Sequence, residues 1–117
     1  MRVLVCGSRD WDDYKTIKNF LKTLPPDTVV IEGGARGADK IAKECAQQLG
    51  YKVEEYKAMW DIFGKGAGPI RNTMMIMKGK PDIVVAFHND LENSKGTKDM
   101  IKQAKHHGIP VYLKWSE

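Results

Sequence analysis

The stretch "VVIEGGARGADKIA", residues 29–42, decides the fold of this chain. A β-branched run, Val29, Val30 and Ile31, gives way to Gly33 and Gly34, then to Arg36 and Gly37, and passes without a gap into a helical pattern. Ala38, Ile41, Ala42, Cys45, Ala46 and Leu49 fall on one stripe of a helix, and Gly50 stands where a C-terminal cap belongs. A buried strand that turns into an amphipathic helix through a side-chain-poor turn is the repeating unit of a parallel α/β sheet.

The same alternation recurs on both sides of that stretch. Strands are expected at residues 2–6, 28–32, 52–56, 82–87 and 110–114, with helices between them. Tyr14, Ile17, Phe20, Leu21 and Leu24 make a stripe stopped by Pro25 and Pro26; Met100, Ile101 and Ala104 make a shorter one stopped by Gly108 and Pro110. The expected architecture is one α/β domain over residues 1–117, a five-stranded, mainly parallel, doubly wound sheet with helices on both faces. The helix expected at residues 69–78 differs from the others. Ile70, Met74 and Met77 occupy one side while Met75 and Ile76 leave other sides apolar, so a homo-oligomer that covers this helix is expected.

Bulk properties narrow the function. A chain of 117 residues, 42% of them hydrophobic, can bury one core and is too short for two. Lys and Arg outnumber Asp and Glu by 19 to 15, with a pI near 9.1, which favours anionic partners, but the charges are scattered and form no basic tail. Cys6 and Cys45 lie in a strand and a helix with no CxxC and no clustered histidines, so they read as buried reduced thiols and no metal is expected. No segment approaches the ~18 apolar residues of a membrane span. The opening residues carry too short an apolar run for a signal peptide, and a cytoplasmic protein with no membrane partner is expected.

In a parallel sheet the loops after the strands gather along one edge, where ligands bind. Here those loops hold Gly7, Ser8 and Arg9 after the first strand, and Gly33, Gly34, Ala35, Arg36, Gly37 and Asp39 after the second. Trp60, Arg71 and Asn72 follow the third, and Ser94, Gly96 and Thr97 follow the fourth. Glycines let the chain turn tightly and bring N–H groups close to a ligand, and the following helix aims the positive end of its dipole at the same point, which suits phosphate. A tight turn with no ligand uses the same glycines, and the pattern is neither a GxGxxG after the first strand nor a GxxxxGK[ST] loop.

The neighbouring loops add discrimination. Gly64, Gly66 and Gly68 precede Pro69 in a first-turn position, and the Arg71 guanidinium beyond can fork onto phosphate oxygens. Trp60 offers a face for stacking a base. Asp39 reads as a ligand for a ribose hydroxyl or a cation, as a base, or as a first-turn acid favoured by the helix dipole. The expected phosphate pocket joins Gly34, Arg36 and Gly37 to Arg71 and to the segment from Ser94 to Thr97.

"GSRDW", "GGARGAD", the stretch ending "GKGAGPIRN" and "SKGT", in that order, resemble the SLOG superfamily of Rossmann-like domains, and in particular its small cpYpsA-related family; the likeness runs from Val3 to Val111. The resemblance implies binding or sensing of a nucleotide or a nucleotide-derived phosphate compound, for example one like ADP-ribose. The superfamily also contains DNA-processing protein A, whose S-G-x-A-R-G-x-D and R-N-R elements are similar to residues 33–39 and Arg71-Asn72, which implies a single-stranded nucleic-acid partner as one alternative. A further branch, the LOG phosphoribohydrolases, implies an enzyme in which Arg71 and Asp39 would be catalytic. This chain departs from both patterns: the LOG glutamate falls at Met100, the lysine of its RKxxM segment at Asn72, and the second arginine of R-N-R at Thr73.

Overall fold

The strands β1 (Arg2–Gly7), β2 (Val29–Glu32), β3 (Lys52–Glu55), β4 (Ile83–Phe87) and β5 (Val111–Lys114) form one sheet in the order β3-β2-β1-β4-β5. The computed structural model describes residues 1–116, and every strand pairing in it is parallel. The helices are α1 (Tyr14–Leu21), α2 (Ala38–Gln48), the single turn α3 (Trp60–Phe63), α4 (Ala67–Met77) and α5 (Lys95–His106). The chain starts at the centre of the sheet, moves outward through β2 to β3, then returns to the other side of β1 at β4. That reversal makes the C-terminal ends of β1 and β4 the switch point of a Rossmann-like fold.

Because side chains alternate across a strand, β1 feeds both layers. Val3 and Val5 pack with Ile17, Leu21, Ala38, Ile41, Ala42 and Cys45 of α1 and α2, with Phe87 of β4 and with Trp11. Leu4 and Cys6 pack on the opposite face with Met75 and Ile76 of α4 and Met100 and Ala104 of α5. The stripe read from the sequence is thus the buried side of α2, and Gly50, at φ +84°, turns the chain out of that helix. Leu24 packs against the same core from beyond the end of α1. Cys6 and Cys45 are buried free thiols.

Two details differ from the sequence reading. The fourth helix begins at Ala67, ahead of Pro69, and a 3-10 turn over Gly64–Gly66 joins it to α3, so the glycines of this segment enter helical structure and form no open loop. Pro69 is accommodated because first-turn N–H groups have no intrahelical partner to lose. Met75 and Ile76 are core residues, covered by this chain's own sheet through Leu4, Ile31 and Val84. In α3 and α4 the large apolar side chains left in the open are Trp60, Ile62 and Phe63 and Ile70 and Met77. No helix among the described residues is long and apolar enough to cross a membrane.

Candidate functional site

The glycine turn after β2 is shaped from within. Asp39, at the second position of α2, folds back so that its Oδ2 accepts from the N–H of Gly33 and of Ala35, both at 3.2 Å. The N–H of Gly34 donates to Oε1 of Glu32 at 2.7 Å. The N–H groups that the glycines expose are therefore held by the protein's own carboxylates. Gly37, at φ +76°, is needed for close approach to the first loop: a Cβ there would run into the carbonyl oxygen of Ser8, which accepts from the N–H of Ala38 at 3.0 Å.

Arg71 reaches this turn from α4. Its Nη1 donates to the carbonyl of Gly33, and its Nε donates to Oδ1 of Asn72 at 3.1 Å. Asn72 is buried and ties α4 to α5, donating through Nδ2 to Asp99 at 2.9 Å and to the carbonyl of Gly96 at 3.3 Å. Asp99 also accepts from Gln103 at 2.8 Å. Ser94 caps α5, accepting from the N–H of Thr97 at 3.1 Å. Trp11 is a core residue, edge-on to Phe87 at 5.6 Å with its indole N–H donated to the carbonyl of Asp13. Trp60 is about half exposed, with the Arg9 guanidinium 5.9 Å over its ring.

Two cavities open on this edge of the sheet. The larger, 620 Å³, lies over the switch point and is lined by Gly7, Ser8, Arg9, Ala35, Asp39, Arg71, Asn72, Ser94, Gly96 and Thr97 among others. The second, 410 Å³, is lined by Arg9, Gly33, Gly34, Ala35, Arg36, Lys57, Ala58, Trp60 and Arg71. Arg9, Ala35 and Arg71 belong to both. Of the residues singled out in the sequence, Gly37 and the segment with Gly64, Gly66, Gly68 and Pro69 line neither. Sequence reasoning missed Asp10, Asp12 and Asp90 in the first cavity, Lys57 in the second, and Ser116, which reaches the first from beyond β5; Lys95 lies in the expected segment from Ser94 to Thr97. The acids sit inside loops already suspected, whereas nothing local marks Lys57 or Ser116. Ser116 is brought there by its hydroxyl, which donates to Asp13 at 2.9 Å, and by its N–H, which donates to Asn89.

A single five-stranded parallel sheet with helices on both faces and a polar crevice at its switch point places the chain in the broad class of Rossmann-like α/β proteins. Within it, the chain belongs to the YAcAr family (YspA, cpYpsA-related SLOG), whose family model matches residues 1–63. It is 41% identical to the Gene 61 protein of Mycobacterium phage D29 over 119 aligned positions, covering 94% of this chain and 93% of that one. In fold it is similar to DNA processing protein A from Streptococcus pneumoniae, with a TM-score of 0.77 at 20% identity over 96% of this chain. The match spans about half of that longer molecule, 49% of its length.

Burial sets the electrostatics beneath the turn. Desolvation raises the pKa of Asp39 to about 6, against the opposing pull of the Ala35 and Gly33 N–H groups, Arg71 and Arg9. Glu32 is wholly buried, and its Oε2 has no N–H or O–H group to accept from among the described residues. Burial, and then a proton shared with the facing carboxylate of Glu55, push the pKa of Glu32 to about 8. Glu55 is lowered by that same hydrogen bond and by Lys43 and Lys57, 3.3 and 3.6 Å away.

These shifts predict a pH dependence of stability. Where a folded-state pKa lies above the unfolded one, the folded chain holds its proton more tightly and stability falls as pH rises between the two values. For Asp39 that window runs from 3.8 to about 6, and for Glu32 from 4.5 to about 8. Glu55, lowered from 4.5, acts in the opposite sense and only below that value. The urea midpoint is expected to fall between pH 6.5 and pH 8.5, beyond the Asp39 window, and Glu32→Gln is expected to flatten that fall. An unchanged slope in Glu32→Gln would place the titrating group elsewhere.

Proposed function

We propose that this domain binds or senses a nucleotide or a nucleotide-derived phosphate compound at the C-terminal edge of the sheet. The observation that carries the reading is Arg71. Its guanidinium lines both cavities, oriented by Gly33 and Asn72, and its remaining N–H groups have no hydrogen bond among the described residues and can meet an anion. Ser8, Ala35, Ser94, Gly96 and Thr97 supply polar contacts around it, and Trp60 supplies the stacking face. The name of the fold relative, a DNA processing protein, is in keeping with nucleotide chemistry.

Asp39 favours turnover as a second reading. A carboxylate with a pKa near 6 beside an arginine in a cleft is suited to general acid or base work, as in an N-glycosidase or phosphohydrolase. Nucleic acid is a third reading, supported by Lys95, Lys98 and Lys102 along a 510 Å³ groove that continues from the larger cavity. We also infer a homo-oligomer through the apolar surface of Ile70, Met77, Ile62 and Phe63, which borders the site.

Thermal-shift and calorimetric titrations with nucleoside mono- and diphosphates should reveal binding to the wild type. Arg71→Lys, which keeps the charge but not the fork, should lose about tenfold in affinity, and Arg71→Ala more. Chromatography of the same mixtures decides turnover by the appearance of free base or phosphate. No stabilisation by any nucleotide at millimolar concentration would sink the reading.

Assembly has its own test. Light scattering should give a multiple of 13.2 kDa for the wild type and that single mass for the double variant Ile70→Asp, Met77→Asp. A monomeric wild type at micromolar concentration would end the inference.

A further inference from the structure

Two facing carboxylates lie against the 410 Å³ cavity. Gly34 lines that cavity, and its N–H donates to Oε1 of Glu32 at 2.7 Å. The stem of Lys57 and the carboxyl group of Glu55 press on the same glycine, where a Cβ would meet Lys57 Cγ at 3.0 Å and Glu55 Cδ at 3.3 Å. Glu32 of β2 and Glu55 of β3 are register partners in the sheet. Oε2 of Glu32 is buried with no donor among the described residues. Two ionised carboxylates cannot hydrogen-bond to each other, because each only accepts. One proton shared by the pair supplies the missing O–H and removes one of two like charges from a buried site.

The surrounding charges supply no substitute for that proton. Asp39 of α2 adds a further negative charge, and Arg71 of α4 is engaged by the Gly33 carbonyl and Asn72. Lys43 of α2 and Lys57 reach Glu55, at 3.3 and 3.6 Å, and neither forms an ion pair with Glu32. Lys57 belongs to two systems at once. It pairs with Glu55, and it lines the cavity beside Arg9, Arg36 and Arg71, with a side chain exposed enough to turn from one to the other.

Resting on the nucleotide reading above, we propose that the cavity takes up its anion together with a proton, held between Glu32 and Glu55. With the proton in place the pair carries one negative charge, Lys43 is left to balance it, and Lys57 can turn to the ligand. Without it the pair carries two, holds Lys57 and repels a phosphate beside Gly34. The coupling is reciprocal: an anion in the cavity strengthens the hold on the proton. That proton comes from solvent, and no bond to the ligand forms or breaks. Burial raises the Glu32 pKa to about 8, above that of Asp39 at about 6, so the two titrations separate.

The test is calorimetric titration of the full chain with ADP and with UDP from pH 7 to pH 9, where their phosphates are already largely ionised. A coupling of about fivefold, at the low end for linked sites, makes the affinity fall about threefold across that range. Repeating the titration at pH 8 in two buffers of different ionisation enthalpy should show net proton uptake on binding. Glu32→Gln keeps an oxygen for the Gly34 N–H and loses the titration, so its affinity should not vary with pH and its uptake should vanish. Glu55→Gln, whose amide can donate to the orphan oxygen, should behave alike and serves where the first variant does not fold. Binding without pH dependence in the wild type, or a pH dependence that survives in the folded variants, would overturn the shared proton and leave nucleotide binding in place. Failure of both nucleotides to bind at every pH would overturn the two readings together.

Discussion

The carboxylate of Asp39, lodged against the N–H groups of Gly33 and Ala35, is the contact on which the rest of the site depends. It holds the turn in the shape that lets the Gly33 carbonyl receive Arg71, and it does so from the first turn of α2, where the helix dipole favours a negative charge. Hydrogen bonds to a charged acceptor contribute about 1.5–3 kcal/mol each. Dehydrating a carboxylate costs several kcal/mol even after relaxation. Here the cost wins by a margin, since the pKa stands near 6 and not below its ordinary 3.8. The turn is therefore anchored by a charge held under tension between burial and its partners, which is the condition in which a nearby ligand changes a group's protonation most readily.

That internal anion alters what a glycine-rich strand-to-helix turn means. In a phosphate-binding loop the N–H groups wait for the ligand; here Gly33, Gly34 and Ala35 already have partners in Asp39 and Glu32. Cationic side chains gather around one cavity instead, Arg36 from the turn itself, Arg9 from the loop after β1, Lys57 from beyond β3 and Arg71 from α4, and in the proposed function they are the groups that would attract an anion. The exposed pair between Arg36 and Asp10, 3.7 Å apart at the surface, contributes little and leaves Arg36 free to reorient toward a ligand. Division of labour follows: backbone and buried acids build the shape, and cationic side chains at the edge of the cavity carry the positive charge.

Much of this was legible in the sequence, for reasons that differ by element. The strands and the α2 stripe were legible because burial on both faces of a central parallel sheet imposes continuous β-branched runs and a strict helical period. Arg71 and Trp60 stood out as odd residues after the third strand, where parallel topology gathers the connections at one edge, although the structure carries them on α4 and α3. The occupancy of the glycine turn was not, since a carboxylate six positions after Gly33 looks the same in sequence whether it folds back or points to solvent. The covering of Met75 and Ile76 was equally hidden: Leu4, Ile31 and Val84 of the sheet, and Met100 and Ala104 of α5, meet them across long sequence gaps. Ser116 and Lys57 join the site only through tertiary placement.

A crystal structure with a bound nucleoside diphosphate tests the central claim most directly. The account predicts phosphate oxygens within hydrogen-bonding distance of the Arg9 and Arg71 guanidinium groups, with Asp39 still accepting from Gly33 and Ala35. Phosphate seated on the N–H groups of Gly33, Gly34 and Ala35, with Asp39 swung out of the turn, would contradict it.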